Sequence, residues 1–136
     1  MDLLDNDIHL HFVDPADVTD NALLEKYQAL LSEDEQSRMS KFYRAEHRHR
    51  FLLTRALIRC SLSQYCEVEP ADWTFKTNAY EKPEIESPAI RPPIRFNISH
   101  CDGLIICGLT RVHDIGVDAE DSRRPTAAGL DRLSQY

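Results

Sequence analysis

The chain has 136 residues, of which 42% are hydrophobic and 29% are charged, a balance typical of one globular domain. Its net charge of −7 argues against general binding to nucleic acid. No apolar run approaches the roughly 18 residues that a membrane span needs, and the acidic N-terminus is unlike a secretion signal. We therefore expect a cytoplasmic protein without a membrane partner, whose four cysteines are free thiols.

The charges are unevenly distributed along the chain. Residues 1–35 carry ten acidic side chains and one basic one, whereas residues 36–59 carry seven basic side chains and one acidic one. A local cationic segment on an acidic protein favours a compact anionic ligand over a long polyanion.

The first elements are predicted by local patterns. Apolar residues alternate with polar ones over residues 7–13, which predicts a strand. Leucines at helical spacing predict a helix over residues 20–31. Ser32 followed by Glu35 is a capping-box pattern, which predicts a second helix that ends near Tyr43.

A longer helix is predicted over residues 45–65, with one buried stripe and one basic side. The predicted stripe consists of Leu53, Ala56, Leu57 and Cys60. The basic side consists of Arg44, Arg48, Arg55 and Arg59, spaced so that one helix would align them. Arginines on this helix, with Arg50 among them, can bind phosphate through two hydrogen bonds each, although a solvated helix face has the same pattern.

The second half of the chain is predicted to be mostly strand. Residues 73–77 are expected to form a strand, and the proline-rich residues 78–93 a loop with at most one short edge strand. Three later strands are predicted over residues 95–99, 104–110 and 115–120. The tail shows no pattern beyond a helix start near Thr126. The fold class is therefore α+β, with a mostly antiparallel sheet packed by the long helix.

Two carboxylates end the last predicted strand. Asp118 and Glu120 are two residues apart, so a strand would direct both to one side. Such a pair suits Mg²⁺, which keeps several waters and takes further ligands from phosphates. Pairs of this kind are also common as solvated acids, so the spacing alone does not establish a metal site.

Further polar groups follow other predicted strands and loops. Ser99 and His100 end a strand, where they can bind a phosphate or position a proton, or else form a simple turn. Lys82 precedes Pro83, which stiffens the loop and can hold the ammonium group near an anion. A lysine that is simply exposed to water would show the same sequence pattern. His9 and His11 share a strand face, but no further ligand has zinc-finger spacing, so we do not favour zinc.

The order of these motifs resembles a known family. Arg-Phe-Leu-Leu-Thr-Arg at residues 50–55 is followed by Asn-x-Tyr-x-Lys-Pro at 78–83. Phe-Asn-Ile-Ser-His at 96–100 and Ile-Gly-Val-Asp-x-Glu at 115–120 come next. Over about residues 35–121 the chain resembles the 4′-phosphopantetheinyl transferases of the type that activates surfactin synthetase.

The resemblance implies a fold, a reaction and a set of roles. The fold would be one half of a pseudo-twofold enzyme, and the reaction would move the phosphopantetheine arm of coenzyme A to a serine of an acyl or peptidyl carrier protein. Asp118 and Glu120 would hold Mg²⁺ against the pyrophosphate and, with His100, form the catalytic group. The coenzyme A phosphates would be held by Arg50, Arg55, Lys82, Pro83, Ser99 and His100.

The sequence departs from the family pattern in two places. Glu81 stands where the family has glycine before the lysine, and the Trp-x-x-Lys-Glu motif of the second half does not occur. We therefore expect residues 1–121 to form an N-terminal half-domain and residues 122–136 to begin a linker or a truncated second half. Such a chain would carry part of an active site and would be impaired alone. It could instead be a non-catalytic coenzyme A-binding or homodimerising fragment, or a nucleotide-binding module of another class.

Overall fold

A computed structural model describes residues 2–4, 7–90 and 93–111 of the chain. The predicted strand at 115–120, with Asp118 and Glu120, lies outside the described residues. So do the boundary near residue 121 and the tail that follows it.

The described residues form three α-helices, and the first two begin at residues whose side chains cap the helix backbone. Helix α1 spans Asn21–Leu30, and the side chain of the residue before it, Asp20, accepts a hydrogen bond from the helix backbone. Helix α2 spans Glu33–Ser40 and begins with the predicted capping box, which is confirmed. Helix α3 spans Ala45–Ser63 and is the longest of the three.

The five strands of the described part pair antiparallel in two sheets. The strands span His9–Val13 (β1), Thr74–Thr77 (β2), Pro83–Ser87 (β3), Arg95–Cys101 (β4) and Leu104–Thr110 (β5). Strands β1, β5 and β4 form one sheet in that order, and β2 and β3 form a hairpin. The α+β class with antiparallel sheets is confirmed.

Helix α3 packs between the three-stranded sheet and the other helices. Ile58 and Leu62 are fully buried against Trp73, Phe96 and Leu109, in a cluster that also includes residues of β4 and β5. The helix also contacts α1, α2 and β1. Because it is covered on more than one side, its buried surface is wider than the predicted stripe. Two predicted stripe residues are buried, Leu53 and Ala56, and two are only half-buried, Leu57 and Cys60.

Two histidines of β1 meet one tyrosine at the end of α3. The hydroxyl of Tyr65 lies 2.9 Å from Nδ1 of His9 and 2.6 Å from Nε2 of His11. A hydroxyl has one proton to donate, so at least one of the two rings donates its own N–H to the tyrosine oxygen. Burial, and then the neighbouring His9, lower the pKa of His11 below its ordinary value of 6.5.

The stability of the fold should therefore decrease as the pH falls below 6.5. Because the pKa of His11 is depressed in the folded chain, its contribution is present above the unfolded value and is lost as the pH falls toward the folded one. The slope from one such group is at most about 1.4 kcal/mol per pH unit. Urea unfolding between pH 7.5 and pH 5 measures it. His11→Gln should flatten the slope and the exposed control His47→Gln should not; equal slopes in both variants would contradict the assignment.

Candidate functional site

The N-terminal half of α3 and the end of β4 form the walls of one cleft. The cleft has a volume of about 400 Å³ and brings Arg50, Arg55 and His100 together. Nε2 of His100 lies 3.5 Å from the hydroxyl oxygen of Thr54. Partial burial, and then the charge of Arg50, lower the pKa of His100, so its imidazole is neutral near pH 7 and can donate one hydrogen bond. We call this the helix cleft.

Ser99 lies next to His100 in sequence but on the opposite face of β4. The two residues pair with Ile106 and Ile105 of β5, and neighbouring strand residues point to opposite faces. The hydroxyl oxygen of Ser99 is buried and has no hydrogen-bond partner among the described residues. The structure therefore does not bring the two side chains together, and the role of Ser99 stays a prediction.

The loop between β2 and β3 is organised by Asn78. Its side-chain oxygen accepts hydrogen bonds from the backbone N–H groups of Tyr80 (2.8 Å) and Lys82 (3.0 Å). Its amide nitrogen donates to Glu84 at 2.9 Å. Sequence reasoning did not single out Asn78, although asparagine commonly bonds to the backbone two residues on and so signals a turn of this kind.

The same loop holds Glu81 in an unusual backbone conformation. Its φ of 62° lies in the left-handed region, which glycine occupies without steric cost. This geometry explains why a glycine suits the position that Glu81 occupies.

Lys82 lies in a different cleft from Arg50 and His100. This hairpin cleft, of about 590 Å³, lies between the β2–β3 hairpin and β4, and Arg95 and Asn97 also line it. Pro83 lines this cleft as well as a smaller one on the other side of the hairpin.

The smaller cleft, of about 230 Å³, lies between α2, α3 and the hairpin, and we call it the central cleft. Arg38 and Lys76 line it, and sequence reasoning assigned neither to a site. Arg55 lines both the central cleft and the helix cleft, so the two share one guanidinium group. Four cationic residues therefore line the central cleft, Arg38, Arg55, Arg59 and Lys76, together with the three acids Asp34, Glu35 and Glu81.

A buried carboxylate holds two of the four arginines of α3. Glu35 accepts hydrogen bonds from Nε of Arg55 and from Nε and Nη2 of Arg59. Both guanidinium groups also lie over the ring of Phe75, at 5.3 Å and 5.2 Å from its centre. Arg59 donates further to the backbone oxygens of Pro70 and Trp73, so it has a structural role. Within the described residues, Glu35 alone accepts a hydrogen bond from Arg55.

The remaining predicted arginines, Arg44 and Arg48, have partners near the start of α3. Arg44 precedes α3 and makes an exposed ion pair with Glu46. Arg48 donates to the backbone oxygens of Phe42 and Tyr43 and so closes the turn after α2.

Because α3 is one continuous helix, Arg48, Arg55 and Arg59 lie on one side of it, as their spacing predicts. This side is not a uniform basic surface, because Arg55 and Arg59 are buried whereas Arg48 is only half-buried.

Two simpler predictions concern the cysteines and the helices. All four cysteines are free thiols, as expected. Among the residues that the structure describes, we find no helix with the length and apolarity needed to cross a membrane.

Comparison with known proteins identifies the family. A sequence profile described as 4′-phosphopantetheinyl transferase, N-terminal, matches residues 19–128. The chain belongs to this family and corresponds to its N-terminal half, which confirms the resemblance.

Two relatives illustrate the extent of the similarity. The 4′-phosphopantetheinyl transferase HetI of Nostoc sp. is 34% identical over 125 residues, which cover 92% of this chain and 52% of that relative. The 4′-phosphopantetheinyl transferase Sfp of Bacillus subtilis is 31% identical over 99 residues, which cover 73% and 42%. The chain thus spans about half the length of the curated relatives it matches.

Proposed function

We propose that this chain supplies one half of an enzyme that transfers the 4′-phosphopantetheine arm of coenzyme A to a serine of an acyl or peptidyl carrier protein. The observation that carries the proposal is the pair of adjoining clefts that share Arg55. Coenzyme A has a 3′-phosphate and a pyrophosphate close together, so its nucleotide end needs cations on neighbouring surfaces.

The cations of the two clefts suit these phosphates. Arg50 and the neutral imidazole of His100 can donate hydrogen bonds in the helix cleft, while Arg38 and Lys76 supply charge in the central cleft. Arg55 is paired with Glu35 through its Nε, so a phosphate would be bound by the terminal N–H groups of its guanidinium. Lys82 would reach the ligand from the hairpin, beside Pro83.

The metal belongs to the proposal too. Asp118 and Glu120 would hold Mg²⁺, which stabilises charge on the phosphoryl oxygens when bound. The carrier serine would attack the β-phosphate and release adenosine 3′,5′-bisphosphate. The cationic residues of the two clefts would bind and orient the nucleotide that leaves.

Nucleotide recognition provides the test. We expect coenzyme A to bind this chain about tenfold more tightly than 3′-dephospho-coenzyme A, because one charge-assisted contact is worth about 1.5 kcal/mol. Arg50→Ala and His100→Ala should shrink that difference, and isothermal titration of both ligands measures it. The matched control is Arg44→Ala, since Arg44 lines none of the three clefts described above. Equal affinities in the wild type would contradict the assignment.

A further inference from the structure

Glu81 brings a third acidic group to the central cleft, which is lined by four cationic residues and two other acids. The cations are Arg38, Arg55, Arg59 and Lys76, and the other acids are Asp34 and Glu35. The hairpin turn fixes the position of Glu81, since its backbone N–H donates to the backbone oxygen of Asn78 at 3.0 Å.

The carboxylate of Glu81 is not used in a structural ion pair. Within the described residues it has no hydrogen bond or salt bridge, whereas the nearby Glu35 pairs with two arginines. Its left-handed backbone is also sterically less favourable for glutamate than for glycine. The chain therefore keeps an unpaired negative charge at this place at some cost to its stability.

We propose that Glu81 is a specificity-determining residue of the central cleft. Its charge opposes that of the surrounding cations, so the cleft binds anions more weakly than its arginines and lysine alone would allow. Coenzyme A carries more negative charge than its 3′-dephospho form, so Glu81 repels it more strongly. Glu81 therefore lowers the ratio of the two affinities. This inference rests on the proposed function for the identity of the ligand. The expected weakening of anion binding by Glu81 does not depend on which anion binds.

Glu81→Gln isolates the charge, because glutamine keeps the size of the side chain and the same backbone requirement. We expect the variant to bind coenzyme A roughly threefold more tightly at about 0.05 M salt, with the gain lost at about 1 M salt, since an exposed charge is screened. The gain for 3′-dephospho-coenzyme A should be smaller. Glu81→Gly should show the same gain in affinity together with a higher free energy of unfolding.

The experiment is calorimetric titration of the whole chain with coenzyme A, 3′-dephospho-coenzyme A and inorganic pyrophosphate. Glu67→Gln is the control, because Glu67 is exposed and lines none of the described clefts. Unchanged coenzyme A affinity in Glu81→Gln would overturn the inference and leave the proposed function standing. Tighter pyrophosphate binding without any coenzyme A binding would uphold the inference and overturn the proposed function. Absence of binding by every variant to every probe would overturn both.

Discussion

We expect Glu35→Ala to lower the free energy of unfolding by about 3–5 kcal/mol, the range typical for removal of one partner of a buried ion pair. Glu35 is 3% exposed and Arg59 is 1% exposed, so water cannot replace the lost carboxylate. The substitution leaves two guanidinium groups buried without their anion. It also removes the capping box, because the carboxylate accepts a hydrogen bond from the backbone N–H of Ser32.

Two variants separate this network from ordinary surface effects. Glu35→Gln keeps the shape of the side chain and should cost less than alanine. Glu33→Ala removes an exposed acid from the same helix turn and should change the free energy of unfolding by less than about 0.5 kcal/mol. Urea unfolding measures all three variants. A loss of less than about 1 kcal/mol in Glu35→Ala would show that the network does not hold the helices together.

The same carboxylate should make the fold sensitive to acid. Burial alone would raise the pKa of Glu35, but hydrogen bonds from Ser32, Arg55 and Arg59 hold it below the ordinary value of 4.5. Its stabilising contribution is therefore present above that value and is lost as the pH falls through the lower folded value. The loss that is due to His11 begins at a higher pH than the loss that is due to Glu35, because the ordinary pKa values are 6.5 and 4.5.

Elements with a strong local signal could be predicted from the sequence. The bounds predicted for β5 agree with the structure, and the capping box of α2 was visible because Ser32 and Glu35 are three residues apart. Burial of arginine could not be predicted in this way. Arg59 is surrounded by Glu35, Pro70 and Trp73, which are 24, 11 and 14 residues away in sequence, so only the tertiary fold reveals its partners.

The candidate site could be predicted only in part, for a related reason. The motifs identified Arg50 and His100, which the fold brings to one cleft. They did not reveal that Lys82 lies in another cleft. The position of Lys82 depends on the hairpin loop, whose backbone is held by hydrogen bonds to the side chain of Asn78. Arg38 has no motif of its own, and its place in the central cleft depends on the packing of α2 on α3.

Removal of one carboxylate tests whether Asp118 and Glu120 hold Mg²⁺ during transfer. In an enzyme that joins this chain to the second half of a relative such as HetI, we expect Asp118→Ala to reduce transfer by about a thousandfold or more. Losing one of two carboxylates weakens Mg²⁺ binding and leaves the pyrophosphate charge unbalanced in the transition state. A thousandfold loss of rate corresponds to about 4 kcal/mol of transition-state stabilisation. Transfer of a labelled pantetheine arm to a carrier protein measures the rate.

The chain without a second half offers an independent measurement of the same pair. If Asp118 and Glu120 hold Mg²⁺ against the pyrophosphate, then Mg²⁺ should increase the affinity of the wild-type chain for coenzyme A, and Asp118→Ala should remove that increase. Asp121→Ala is the matched control, because it deletes the next acid in the sequence and leaves the Asp-x-Glu spacing intact. Near-normal transfer by Asp118→Ala, or an unchanged response to Mg²⁺, would show that the metal is held elsewhere.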